Sequence, residues 1–130
     1  MKMQRKIKKA IFAGECMVEI SGDLSVLSSS DIKMNVNFGG DTFNSAVYFN
    51  RLCEKNFVTH YFTAVGDDKF SEMMVKRFKH ENLSVSLVKR INNKYPGLYS
   101  IHTDTSGERN FSYWRQESAA KLMLSDFNNI

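Results

Sequence analysis

The spacing of apolar residues changes several times along the chain, and each change predicts a different element. A continuous apolar run at 10–14 predicts a short strand that is buried on both faces. Strict alternation at 34–38 predicts a half-exposed strand, and 17–20 predicts a further extended piece. The β-branched and aromatic run at 57–65 predicts a longer strand, whereas the polar stretch 21–30 predicts a loop.

Two segments, 43–53 and 70–78, have the spacing of amphipathic helices. Asp67 or Asp68 is placed to cap the second helix, and Asn82 suits the left-handed residue that closes it. We assign the methionines of that helix to core packing rather than to a ligand site. The resulting order β–loop–β–α–β–α is typical of an α/β fold with a parallel sheet.

The last third of the chain favours short strands. The segment 85–88 predicts one strand, and 98–103 and 110–115 predict a hairpin joined by the polar turn 104–107. A helical pattern follows at 117–124.

One face of the predicted hairpin carries side chains suited to a polar ligand. Alternation places Tyr99 on one face of its strand, and it places Tyr113 and Arg115 together, with Trp114 opposite. Tyrosine hydroxyls and a guanidinium fork can bind hydroxyl and carboxylate groups. The alternative is a solvated sheet face whose tyrosines pack through their rings. The stretch by itself leaves both interpretations open.

A glycine pair, Gly39 and Gly40, ends the alternating strand and opens the first helix. Glycine permits positive φ and allows another molecule to approach the backbone closely. Asp41 or Thr42 can then cap the helix, whose first N–H groups lack partners. The segment predicts either the polar floor of a pocket for a hydroxylated or anionic ligand, or a plain strand-to-helix turn.

Composition and charge narrow the class of protein. The chain has 130 residues, of which 42% are hydrophobic and 25% charged, as in one soluble globular domain. Its net charge of +4 comes from the five basic residues at positions 2–9, since the rest is nearly neutral. Because the positive charge is confined to a tail, it is poor evidence for a nucleic-acid-binding surface, and we expect no nucleic-acid partner. No apolar run is long enough to span a bilayer, so we expect no membrane partner. We therefore expect a cytoplasmic protein.

The cysteines and histidines predict no metal site. Cys16 and Cys53 lie far apart without a CxxC pattern, which predicts two buried free thiols. The three histidines are scattered without the spacing of metal ligands.

Five motifs in a fixed order resemble the N-terminal part of a ribokinase-like (PfkB-type) sugar kinase. Within that family they are most similar to the kinases that phosphorylate the sugar acid 2-keto-3-deoxygluconate. The resemblance covers nearly the whole chain after residue 9. The motifs are GECM at 14–17, FGGDTFN at 38–44, AVGDDKF at 64–70, PGLY at 96–99 and GERNFSYWR at 107–115.

The resemblance implies a fold and a substrate site. The fold would be the N-terminal part of a ribokinase-like α/β sandwich carrying a small β-sheet lid. The lid strands would lie near 17–20, 34–38, 85–88 and 98–115. Contacts with the sugar acid would come from Gly40, Asp41, Thr42, Phe43, Asn44, Tyr99, Tyr113, Trp114 and Arg115.

The resemblance also implies a reaction, transfer of the γ-phosphoryl group of ATP to the terminal hydroxyl with the help of Mg²⁺. In the family the catalytic aspartate lies in a Gly-Ala-Gly-Asp element of the C-terminal half, which residues 1–130 do not contain. We therefore expect no catalytic residue here, no tight binding of ATP or Mg²⁺ by this chain, and no turnover by it alone.

The remaining expectations concern association between copies of the chain and two alternative functions. Unpaired edges and uncovered apolar faces of the parallel sheet promote association, and we expect a homo-oligomer formed through the lid sheet. Two other functions remain open: a kinase of the fructokinase type, and a non-catalytic product that acts only as an interaction module.

Overall fold

Strands and helices alternate in the first part of the chain, and strands dominate the rest. The computed structural model describes residues 7–22, 33–53 and 56–125, so most of the predicted loop at 21–30 lies outside the described residues. In chain order the elements are β1 (Lys8–Ala13), β2 (Met17–Ser21), β3 (Asn35–Gly39), α1 (Asp41–Cys53), β4 (Phe57–Val65), α2 (Lys69–His80), β5 (Val88–Arg90), β6 (Leu98–Thr103), β7 (Arg109–Trp114) and a 3₁₀ turn (Ala119–Leu122).

The strands form two sheets. The first is parallel and three-stranded, in the order β1-β4-β5. The second is mixed and four-stranded, in the order β3-β2-β6-β7, with only the β2–β6 pair parallel. The predicted α/β class is therefore confirmed, and the predicted hairpin is the antiparallel pair β6–β7. No helix of the described part is long and apolar enough to cross a membrane.

An aromatic cluster joins both helices to the parallel sheet. Phe43 of α1, Tyr61 of β4 and Phe78 of α2 pack with ring centroids 5.0 to 6.0 Å apart. Each such pair contributes about 0.5–1.5 kcal/mol beyond its buried area. Val18 of β2 belongs to the same core and is 1% exposed, so the core also fixes the four-stranded sheet.

Helix α2 begins and ends where the sequence predicted, but the face that it buries differs from the predicted one. Asp68 is the cap residue, and Asn82 has a φ of 57° after the helix. Met74 is fully buried as predicted, but Phe70 and Met73 are 42% and 43% exposed. The core assignment was therefore wrong for Met73, because the buried stripe of Ser71, Met74 and Phe78 lies one position away from it on the helix.

Both cysteines are free, and Cys16 is buried as predicted, whereas Cys53 is half-buried. Burial, and next the charge of Glu15, raise the pKa of the Cys16 thiol strongly. A protonated buried thiol is a poor nucleophile, so Cys16 serves packing.

Three sequence predictions need correction. The strand assigned to the lid at 85–88 is wrong, because Val88–Arg90 pairs in parallel with β4 in the three-stranded sheet. The strand at 10–14 is not buried on both faces, since Ile11 of the sheet-edge strand β1 is 61% exposed. The helix expected at 117–124 is only the single 3₁₀ turn.

Candidate functional site

The glycine pair forms a tight connection from β3 to α1. Gly40 has a φ of +139°, and a Cβ there would lie 2.6 Å from the Glu15 carbonyl oxygen. The Gly40 carbonyl accepts the first helical hydrogen bond from the Asn44 N–H at 2.9 Å. The expected capping by Asp41 or Thr42 is therefore wrong, since the helix begins at Asp41 and Gly40 occupies the cap position.

A hydrogen bond between two strands lies directly over this glycine pair. The hydroxyl of Tyr99 on β6 donates to the carboxylate of Glu19 on β2. A Cβ at Gly39 would overlap the Tyr99 hydroxyl and lie 3.1 Å from Glu19 Oε2. Burial first, and then the hydrogen bond and charge of Glu19, raise the pKa of Tyr99. Its hydroxyl is therefore held as a protonated donor.

Aromatic rings cover the same face of the sheet beyond Tyr99. Tyr99 pairs with Tyr113 in the β6–β7 register, and their ring centroids are 5.8 Å apart. Phe111 extends the row at 6.4 Å from Tyr113. Phe111 and Tyr113 are 48% and 55% exposed. The rings pack on one another, and they leave an accessible aromatic surface.

Arg115 follows β7 and forms an ion pair with a residue that the sequence pattern did not single out. Its Nη2 lies 2.7 Å from Glu15 Oε2, with the Arg115 side chain 49% exposed and that of Glu15 only 10%. Trp114 lies on the opposite face of the strand, as alternation predicted, and is 61% exposed.

Within the 41–44 segment the side chains separate into two groups. Thr42 and Phe43 belong to the interior, where Thr42 Oγ1 lies 3.2 Å from the Tyr61 hydroxyl and Phe43 is 2% exposed. Asp41 and Asn44 are exposed at the start of the helix. Asn44 is therefore better placed than Thr42 to meet a ligand.

Five of the nine predicted site residues line two separate cavities, Phe43 and Asn44 in one and Tyr113, Trp114 and Arg115 in the other. One, of about 260 Å³, lies beside the glycine pair. The other, of about 470 Å³, lies beside the end of β7. The first is lined by Glu19, Asn37, Phe38, Gly39, Phe43, Asn44, Val47, Tyr48, Arg51 and Arg77. The second is lined by Tyr95, Pro96, Tyr113, Trp114, Arg115, Gln116, Glu117 and Ser118.

Two carboxylates connect these groups. Glu19 accepts the hydrogen bond from Tyr99 above Gly39. The backbone carbonyl of Glu15 lies against Gly40, and its carboxylate pairs with Arg115. The sequence offers a signal for Glu15, which is charged but stands between two apolar strands. Its partner Arg115 was not evident, because the contact joins distant parts of the chain.

The family of the chain follows from comparison with known proteins. The profile of the pfkB family carbohydrate kinases matches residues 8–129. The chain belongs to this family.

A more specific likeness is to 2-dehydro-3-deoxygluconokinase of Escherichia coli strain K12, to which the chain is 46% identical over 118 residues. That alignment covers 90% of this chain and 36% of the relative. The chain thus spans about a third of the length of the curated relative it matches.

Solved structures support the fold. Fructokinase from Xylella fastidiosa superposes with a TM-score of 0.76 at 22% identity, over 88% of this chain and 34% of that one. A 2-dehydro-3-deoxygluconokinase from Thermotoga maritima superposes with a TM-score of 0.72 at 19% identity, over 87% and 34%. The ribokinase-like fold is therefore shown for the described residues.

Kinases of this family use ATP and a metal ion, and the start of α1 is a poor fit for the phosphates of ATP. Within 7–22, 33–53 and 56–125, no three Asp, Glu, His or Cys side chains are grouped so that they could hold a metal ion. The glycine turn leads directly into Asp41 in the first turn of α1. A carboxylate at that helix N-terminus opposes the approach of a phosphate.

Proposed function

We propose that this chain supplies the sugar-acid-binding part of a kinase that transfers the γ-phosphoryl group of ATP to 2-keto-3-deoxygluconate, giving the 6-phosphate. The observation that carries the proposal is Arg115, a half-exposed guanidinium on the sheet face that also presents Tyr99 and Tyr113. A carboxylate is the ligand group that a guanidinium fork binds best. The name of the Escherichia coli relative supports the same substrate.

The site residues have distinct roles in this proposal. Arg115 pairs with the carboxylate of the sugar acid, and Tyr113 donates to a neighbouring oxygen. Asn44 both donates to and accepts from sugar hydroxyls, and Asp41 accepts from them. Gly40 lets the ligand approach the backbone, because it carries no side chain.

The four-stranded sheet acts as a lid over the substrate and as the contact between two copies of the chain. Its exposed row of Phe111 and Tyr113 supports this role, because stacked aromatic rings favour a protein partner. The kinase works in the cytoplasm, where it meets ATP. The chain on its own binds the sugar acid and does not phosphorylate it.

The test compares an acid with a neutral sugar. We expect Arg115→Ala to raise the Kd of 2-keto-3-deoxygluconate about 10–100-fold in calorimetric titration, since a hydrogen-bonded charge contributes about 1.5–3 kcal/mol. Fructose, which lacks the carboxylate, should bind both proteins equally weakly. Arg109→Ala, a cationic change on the same face of β7, is the matched control and should bind the acid like the wild type.

The outcomes separate the candidate functions. Equal losses on both sugars would contradict the acid assignment and favour a kinase of the fructokinase type. Formation of ADP from ATP and the acid by the purified chain would contradict the absence of turnover. Failure of the wild type to bind the acid would contradict the proposal itself.

A further inference from the structure

We propose that Glu15 is a positioning residue for substrate binding: it holds the Arg115 guanidinium so that the remaining N–H donors of Arg115 meet the carboxylate of the sugar acid. This inference rests on the proposed function. It concerns a residue that does not itself contact the ligand, since the Glu15 side chain is only 10% exposed.

The ion pair leaves Arg115 available to a second carboxylate. Glu15 Oε2 lies 2.7 Å from Nη2, at one end of the guanidinium. Arginine has five N–H donors in a rigid fork, so one contact does not use them all. The Arg115 side chain is 49% exposed, and it lines the cavity of about 470 Å³ together with Tyr113.

The position of Glu15 is fixed by close packing on both sides. Its carbonyl oxygen lies where a Cβ of Gly40 would come within 2.6 Å. Its Oε1 lies where a Cβ of Gly97 would come within 2.5 Å, and that Cβ would also lie 3.1 Å from the Cβ of Arg115. Glu15 therefore occupies space that two glycines leave open, with its backbone carbonyl against Gly40 and its carboxylate against Gly97.

A contribution to stability alone does not explain the arrangement. Glu15 Oε1 is buried and has no hydrogen-bond partner among the described residues. A buried carboxylate with one oxygen unpaired costs free energy, and a pair with a half-exposed arginine recovers little of it. What the pair does provide is a restrained guanidinium, which lowers the entropy lost when a ligand binds it.

The first experiment measures the order of the guanidinium without any ligand. The ¹⁵N relaxation of the Arg115 Nε–H group reports its order parameter in the 130-residue chain. We expect a restrained value in the wild type and a fall below about 0.6 in Glu15→Ala, the range of flexible groups. Glu15→Gln keeps a carbonyl oxygen that accepts from Arg115, so it should retain most of the order.

The second experiment measures affinity in the same proteins. Glu15→Ala should raise the Kd of 2-keto-3-deoxygluconate about tenfold and change that of fructose less than about twofold. Glu15→Gln should stay within about threefold of the wild type for the acid. The matched control is Glu72→Ala, which removes an exposed carboxylate paired with Lys69 on α2 and should alter neither the order of Arg115 nor the affinity.

The results decide between the possibilities. Unchanged order of Arg115 in Glu15→Ala would overturn the inference, and so would lost order without loss of affinity for the acid. If Glu15→Ala does not fold, Glu15→Gln decides. Wild-type order of Arg115 in Glu15→Gln, together with an affinity for the acid well above that of Arg115→Ala, supports the role. Loss of order in Glu15→Gln overturns it. A wild-type chain that does not bind the acid would contradict the proposed function, while the order parameter still decides whether Glu15 restrains Arg115.

Discussion

Tyr99 donates its hydroxyl hydrogen to Glu19 across the β2–β6 pair, and both groups lie against Gly39. A residue of the glycine turn is therefore in contact with side chains of two strands of the four-stranded sheet. The turn and the sheet form one unit, so a change at this contact is expected to affect both stability and binding.

Removing the Tyr99 hydroxyl tests this contact. Tyr99→Phe should lower the free energy of unfolding by about 1.5–3 kcal/mol, because the bond to a charged acceptor is lost and Glu19 remains partly buried. Urea unfolding followed by circular dichroism measures the change. Tyr95→Phe is the control, since Tyr95 is 67% exposed. Equal stability of the two variants would show that the bond contributes nothing.

The Glu81 network predicts a dependence on acid pH. Glu81 pairs with Arg51 at 2.8 Å and with Arg77 at 3.0 Å, and its side chain is 8% exposed. Burial by itself would raise the pKa of Glu81, but the two guanidiniums outweigh it and hold the pKa below the usual 4.5. Such a shift gives stability that is fully present above the unfolded-state pKa of about 4.5 and is lost as the pH falls through the lower folded-state pKa.

Glu81→Gln should therefore lower the free energy of unfolding by about 1–2 kcal/mol at neutral pH. It should also make the decline between about pH 5 and 3 shallower than in the wild type. Glu108→Gln, at an exposed position in the hairpin turn, serves as control. A variant whose unfolding curve runs parallel to the wild type over this pH range would exclude Glu81 as the titrating group.

Two neighbouring aspartates allow a paired test of helix capping. Asp68 Oδ1 accepts from the N–H groups of Phe70 and Ser71 at 2.9 and 3.2 Å. Asp67 instead accepts from the Asn93 N–H at 3.3 Å, outside the helix. Asp68→Ala should cost about 1–2 kcal/mol in thermal or urea unfolding, and Asp67→Ala about 0.5 kcal/mol or less. The reverse order would mean that capping does not limit the stability of α2.

Association through the four-stranded sheet can be distinguished from association through the other sheet. Phe111→Ser should shift sedimentation velocity profiles toward the monomer, because it removes an exposed ring from the aromatic row. Ile11→Ser, an equivalent change on the edge strand β1, should leave them unchanged. If only Ile11→Ser dissociates the protein, the parallel sheet is the interface. A monodisperse wild-type monomer would contradict association altogether.

Local patterns predicted the elements well and their partners less well. The strand 57–65, the cap at Asp68 and the left-handed Asn82 depend on neighbours in the sequence, and all three are confirmed. Segment 85–88 was placed in the wrong sheet, because pairing of Val88–Arg90 with β4 is a contact between distant residues.

The same limit applies to the candidate site. Alternation alone placed Tyr99, Tyr113 and Arg115 on their faces, since a strand has a period of two. It could not show that Arg115 already has a carboxylate partner, because Glu15 lies in another part of the chain. The sequence therefore predicted which groups could bind a ligand, and the fold decided which of them are restrained.

The close packing around Glu15 has a consequence for how the chain tolerates substitution. Alanine at position 97 would bring its Cβ within 2.5 Å of Glu15 Oε1, so Gly97→Ala would force the Glu15 carboxylate to move. Shortening residue 15 would remove that overlap and make the same alanine less costly. The effect of a substitution at position 97 thus depends on the residue at position 15.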